Sequence, residues 1–167
     1  MGERVRIIGI DPGLRRCGWG VIEAVENRLS FVACGTLTPK VSAELPLRLA
    51  ELFEGIGRLV RDFAPDEAAV EETFVSQGAR SALLLGQARG VALMTPASMG
   101  VPVAEYAANL IKKSVVGTGH AEKAQMQAMV KVLLPKADVS SADAADALAI
   151  AICHAHHRSY RKLAASA

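Results

Sequence analysis

The segment Val5 to Ile10 is apolar at nearly every position and is cut off by Asp11-Pro12-Gly13. A short continuous apolar run of this kind reads as a buried strand, and the Asp-Pro-Gly triplet ends it in a turn. The next segments of the chain supply its neighbours in order. Trp19 to Val25 and Leu29 to Thr38 are rich in β-formers, with Glu26-Asn27-Arg28 as a hairpin connection. From Leu45 to Phe63, the positions Leu45, Leu49, Leu52, Phe53, Ile56, Leu59 and Val60 recur at helical spacing, with Glu51, Glu54, Arg58 and Arg61 mostly on the other face. Ala68 to Glu71 reads as a short strand, Ala79 to Met94 as a helix rich in Ala and Leu, and Val101 to Glu105 as another strand. Ala121 to Leu134 and Ser140 to His157 read as two further helices. A hairpin first, then strands alternating with helices, predicts an α/β fold. Its sheet is mixed and five-stranded, three antiparallel strands and then two parallel ones, flanked by helices.

A length of 167 residues predicts one domain over 1–167, and a hydrophobic share of 51% makes it globular. Net charge is only +2, so affinity for nucleic acid has to come from local patches and not from bulk charge. Cys17, Cys34 and Cys153 are scattered and include no Cys-x-x-Cys pair, which argues against a disulfide framework or a thiolate zinc site. The first residues lead into a strand and not into a signal-type apolar segment, so a cytoplasmic protein is expected. The longest uncharged stretch, Gly90 to Ala104, is broken by Pro96, Gly100 and Pro102, so no membrane helix is expected.

Four acids stand out against apolar surroundings. Asp11 closes a strand, the place where α/β sheets put their sites, although Asp is also a common turn residue. Glu71 ends the run Ala68-Ala69-Val70 and is followed by Glu72; side chains alternate along a strand, so only one of the two faces a shared site, and periodicity does not say which. Asp143 and Asp146 lie three apart on one helix face. Ser140-x-x-Asp143 also fits a capping box, whereas Asp146 sits among Ala144, Ala145, Ala147, Leu148 and Ile150, where a charge needs a partner. Acids gathered this closely repel and rise in pKa, and divalent cations with oxygen ligands relieve that. Two Mg²⁺ or Mn²⁺ ions ~3.5–4 Å apart would activate a water and stabilise the leaving oxygen of a phosphodiester.

Ile8-Gly9-Ile10-Asp11-Pro12-Gly13, then Gly18 and Gly20, resembles the opening of the RuvC family of bacterial Holliday junction resolvases. The likeness continues through Ala69-Val70-Glu71-Glu72-Thr73-Phe74, Ser81 to Gly90, Glu105-Tyr106-Ala107-Ala108, Lys112, Val115-Val116-Gly117, Ala121-Glu122-Lys123 and Ala142 to Ala149. That series covers nearly the whole chain in order. The resemblance implies an RNase H-like fold, a homodimer and Mg²⁺-dependent paired nicking of four-way junction DNA that leaves 5′-phosphate and 3′-hydroxyl ends. It implies that Asp11, Glu71, Asp143 and Asp146 are the catalytic and metal-binding carboxylates, and it selects Glu71 over Glu72. It also implies the branch-migration proteins RuvA and RuvB as partners.

Lys112, Lys113, Lys123 and Lys131 make residues 105 to 131 locally basic, since only Glu105 and Glu122 oppose them. By the resemblance Lys112 and Lys123 contact DNA phosphates, while Lys131 reads as an ordinary surface lysine. Ser114 to His120, with Gly117 and Gly119, reads as a loop against DNA. Phe74 is one of seven aromatics (one Trp, two Tyr, four Phe) and comes just after the Glu71 strand. It either folds back onto the core or, as the resemblance implies, stacks on an unpaired base at the junction centre, worth ~1–3 kcal/mol. His154, His156 and His157 lie too far along the helix from Asp143 for a shared metal and read as a basic helix end with Arg158, Arg161 and Lys162, one that also reaches DNA. Small residues along Ala79 to Met94 make it the candidate dimer interface, against an all-round buried helix. Other readings are an RNase H-like nuclease of the YqgF type, which shares the opening motif but not the Phe74 loop, and a noncatalytic DNA-binding module. Actin-like ATPases need a second copy of the motif and about twice the length.

Overall fold

The computed structural model describes residues 2–72 and 78–165, with side chains as far as Arg158. Strand β1 (Arg4–Asp11) is the centre of a five-stranded sheet in the order β3-β2-β1-β4-β5. It pairs antiparallel with β2 (Cys17–Val25), which pairs antiparallel with β3 (Arg28–Leu37). On its other edge it pairs parallel with β4 (Glu67–Glu72), which pairs parallel with β5 (Val103–Ala107). This is the mixed sheet that the sequence predicts, and β1 is apolar and buried from Ile7 to Ile10 because helices cover both faces there.

Alternation along the strands sends Ile8, Ile10, Val21, Ala68 and Val70 to one face, where α1 (Leu45–Phe63) and α2 (Ala79–Ser98) bury Leu52, Ile56, Ala88 and Ala92 against them. Ile7, Ile22, Ala69, Ala104 and Tyr106 face the other way, onto α3 (Ala108–Val116), α4 (Lys123–Leu133) and α5 (Ala142–Ala165). The layers are therefore helix, sheet, helix.

Several elements differ from the sequence expectation. Helix α2 runs through Pro96 to Ser98, because a proline in the last turn removes one hydrogen bond without ending the helix there. Strand β5 starts after Pro102, which has no N–H to give and instead accepts from Ala68 N at 2.9 Å. Phe53 stands out from α1 at 44% exposure and does not join the core. Helix α3 was not expected. It takes in Ser114, Val115 and Val116, so the loop begins only at Gly117, whose φ of 98° closes the helix in the left-handed conformation. Ser141 and not Ser140 caps α5, with its Oγ accepting from Ala144 N at 3.4 Å. That puts Asp143 in the first turn without a capping box. Phe74 lies outside the described residues.

Candidate active site

The parallel register pairs Ile10 with Val70, so the residues immediately after them, Asp11 and Glu71, leave the sheet side by side. Asp11 shares the face of Ile7, and Glu71 that of Ala69, both on the α5 side. Glu72 turns the other way and is exposed. The choice between the two glutamates, which periodicity left open, thus depends on which face α5 covers.

Helix α5 comes this close because the strands beneath it lack side chains. A Cβ on Gly9 would lie 2.8 Å from Ala151 N, one on Gly18 would lie 2.5 Å from the Asp143 carbonyl carbon, and one on Gly20 would lie 3.1 Å from Leu148 N. The first two are closer than real Cβ contacts come and the third is tight, so the three glycines form a trough that seats the helix. The trough brings Asp146 to Asp11 and Glu71, and Asp143 to the same end of β1. Of the four acids Asp11 is the deepest. Burial, then the neighbouring charges of Glu71, Asp146 and Asp143, push it up to about 8. Burial, then Asp146, raises Glu71 as well, and the Asp11–Glu71 pair shares a hydrogen bond with its proton on Asp11. Burial raises Asp146, opposed by Lys123.

Cations answer these charges. Lys112 on α3 and Lys123 at the start of α4 share with Glu71 and Asp146 a cavity of about 270 Å³, floored by Ile111, Met126 and Ile150. Lys123 Nζ lies 3.7 Å from Asp146 Oδ2. Glu122 and Gln125 form a reciprocal capping box that fixes the turn carrying Lys123. The structure thereby brings together the four acids and both lysines singled out in the sequence. Lys131, which the sequence presents as an ordinary surface lysine, donates to Ala137 O at 2.7 Å.

Arg16, which the sequence reading passed over, donates from Nε to Asp143 Oδ2 at 2.6 Å. The basic doublet Arg15-Arg16 follows the strand-ending Asp11 by four residues, but nothing in it points to a partner on α5. The histidines need correction. His154 is buried at 5% exposure, bonded through Nδ1 to Tyr106 Oη at 2.7 Å and through Nε2 to Glu67 Oε2 at 2.6 Å. Arg158 pairs with the same Glu67 at 2.8 Å. Glu67 opens β4 at the end away from Glu71, so His154 and Arg158 brace the fold and are not free cations of a basic helix end; Arg161 and Lys162 have side chains outside the described residues. The Cys17 thiol is buried and pushed up to about 12, which leaves it inert.

Among the described residues no three acid, imidazole or thiol groups already converge as a metal ligand set, because Asp143 leans to Arg16 and Asp146 to Lys123. The donor chemistry nonetheless fits a hard divalent cation. Every donor is a carboxylate oxygen, and crowding that holds a proton on Asp11 up to about 8 is relieved by positive charge at that point.

Comparison with known proteins agrees with this arrangement. The family model described as crossover junction endodeoxyribonuclease RuvC matches residues 7–154. A relative of that description from Rhodopseudomonas palustris is 62% identical over 93% of this chain and 90% of its own, and one from Brucella ovis is 58% identical over 95% and 91%. Among solved structures, Thermus thermophilus RuvC in complex with Holliday junction substrate superposes with a TM-score of 0.87 at 29% identity, over 94% of this chain and 96% of that one. The five-stranded mixed sheet with its flanking helices is consistent with an RNase H-like fold. The chain belongs to the RuvC family of crossover junction endodeoxyribonucleases.

Proposed function

We propose that this protein resolves four-way DNA junctions by hydrolysing one phosphodiester in each of two symmetry-related strands. The observation that carries the proposal is the single cavity in which Glu71 and Asp146, beside Asp11, meet Lys112 and Lys123. Asp11, Glu71, Asp143 and Asp146 would hold Mg²⁺, two ions per site, with Mn²⁺ able to substitute. When bound, the metal supplies charge neutralisation at the phosphate and a water acidic enough to attack near neutral pH. Everything else falls to the chain. Asp11, whose proton the added positive charge would displace to solvent, would hold the metal as a carboxylate. Lys112 and Lys123 bind the non-bridging oxygens of the scissile phosphate and orient it, and Lys123 exchanges Asp146 for DNA as it does so. Arg16 leaves Asp143 by the same exchange of anions. Ile111, Met126 and Ile150 limit water below the phosphate. Phe74, three residues beyond Glu71, would stack on an unpaired junction base and favour branched over linear DNA.

A junction of near-twofold symmetry calls for two sites, and α2 offers the surface for a second copy. Leu83 and Met94 are exposed at 69% and 53%, and a Cβ on Gly86 or Gly90 between them would meet nothing within 4 Å. These positions fall on one helical stripe, which a homodimer would bury. The reading extends to RuvA and RuvB as partners and to the cytoplasm as the place of action. Among the described residues no helix is long and apolar enough to cross a membrane. The test is to incubate the protein with synthetic four-way and linear DNA, with and without Mg²⁺. Paired symmetric nicks in the junction alone, and only with metal, are expected; equal cutting of linear DNA, or cutting without metal, would refute the proposal.

A further inference from the structure

On the opposite side of the carboxylates from Lys112 and Lys123 lies a second cavity, of about 430 Å³, between the β1–β2 loop, the start of α1 and the start of α2. Its polar lining among the described residues is Arg15, Arg16, Arg48 and Ser81, with no acid. Three guanidinium groups facing one space repel each other unless an anion joins them. Arg16 is held by Asp143, but Arg15 and Arg48 make no ion pair among the described residues. Arg48 donates from Nη2 to Leu14 O at 2.9 Å, which accounts for its hold on the loop. That bond leaves Nε buried without a partner among the described residues. A buried N–H on a charged fork is costly to leave unmade, and phosphate oxygens match the spacing of such a fork.

We infer that this cavity is a second phosphate site, which takes a backbone phosphodiester of the substrate strand flanking the one that is cut. The inference rests on the function proposed above and deepens it. Gly13 and Arg16 line the cavity two and five residues after Asp11, and Arg16 reaches from it to Asp143. A strand with one phosphate at the carboxylates therefore has a neighbouring phosphate within reach of the arginines. The lysine cavity holds the bond to be broken, and the arginine cavity fixes the register of the strand that carries it. Leu14 and Leu84 form the apolar part of its wall.

The test measures junction affinity in EDTA across a salt series, for wild type, Arg15→Gln and Arg48→Met. Removing one arginine–phosphate interaction should lower the slope of log K against log salt by about 0.9. Junctions carrying one neutral methylphosphonate at successive positions around the cut locate the phosphate that is held. At one flanking position the methylphosphonate should weaken wild-type binding about tenfold and leave Arg15→Gln unaffected. An unchanged salt slope, or effects of variant and methylphosphonate that multiply at every position, would overturn the inference. Arg15 makes no ion pair or hydrogen bond within the described protein, so Arg15→Gln carries the test even if Arg48→Met loosens the loop; a lower melting temperature for Arg48→Met with an unchanged slope for both variants also overturns it. Nicking of the unmodified junction by wild type in Mg²⁺ is measured on the same preparation. If wild type fails to nick, the proposed function fails; if it nicks and the slopes do not move, only the second phosphate site fails.

Discussion

Gly18→Ala isolates the claim that the glycine trough sets the distance between α5 and the strand ends. The new Cβ would lie 2.5 Å from the Asp143 carbonyl carbon, whereas carbon atoms settle at ~3.5–4.0 Å, so the start of α5 has to retreat by about 1 Å. Overpacking of this sort costs about 1–3 kcal/mol, which for a domain of this size lowers Tm by roughly 2–10 °C. The larger effect is on chemistry. A 1 Å displacement of a catalytic group costs on the order of a hundredfold in rate, and the retreat carries both Asp143 and Asp146. Single-turnover nicking of a labelled junction in Mg²⁺, well below the variant's Tm, reads the rate, and calorimetry reads the stability. Gly57→Ala is the control. It lies inside α1, and its Cβ would meet only the Arg61 Nη1 end of a flexible side chain, at 3.4 Å, and a Thr95 methyl at ordinary contact distance. It should raise Tm, because alanine stabilises a helix interior by up to about 1 kcal/mol over glycine, and leave the rate alone. If Gly18→Ala nicks within a few-fold of wild type while its Tm falls, the trough is only a packing feature and the argument is wrong.

Three further outcomes are expected. In the absence of metal, stability should fall as pH rises from about 4 towards about 8, because the unfolded chain releases the Asp11 proton near 3.8 while the folded one keeps it to about 8; Asp11→Asn should raise Tm at pH 7 and flatten most of that slope, and a wild-type Tm independent of pH in EDTA would contradict this. Leu83→Asp should convert dimer to monomer in light scattering with little change in the melting of the subunit, since Leu83 is exposed; a dimer that persists would refute the α2 surface as the interface. Phe74→Ala should fold and bind DNA but cut junctions at least tenfold more slowly, with Trp or Tyr retaining more activity than Leu; a melting temperature many degrees lower would return Phe74 to the core.

Most of the architecture could be read from the chain because its elements carry strong periodic signals. The bounds of α1 are those expected, since Leu49, Leu52, Ile56, Leu59 and Val60 define one face and Pro65 comes just past the end. Helix α3 was missed because nine residues with two lysines give only one buried pair, Ile111 and Val115, too little periodicity to stand out from a loop. Gly117 was the remaining clue. Asp146 was legible because a carboxylate within an apolar helix has few structural uses. Arg16 was not, because its partner is 127 residues away and nothing local marks the pairing. The same holds for His154, whose burial depends on Tyr106 and Glu67 arriving from two strands. Gly9, Gly18 and Gly20 entered the reading only through resemblance, since the reason for them is the approach of a distant helix and not a local turn.

The central claim is that four carboxylates carry the chemistry and the basic side chains carry the binding. It is tested most directly by measuring single-turnover nicking and junction affinity together for Asp11→Asn, Glu71→Gln, Asp143→Asn and Asp146→Asn. Each should lose at least a hundredfold in rate in Mg²⁺ while binding the junction in EDTA as tightly as wild type or more tightly, because none of the four adds negative charge to the site and none removes a cation that holds phosphate. A variant that nicks at near wild-type rate, or a loss of rate that is matched by an equal loss of affinity, would contradict the account.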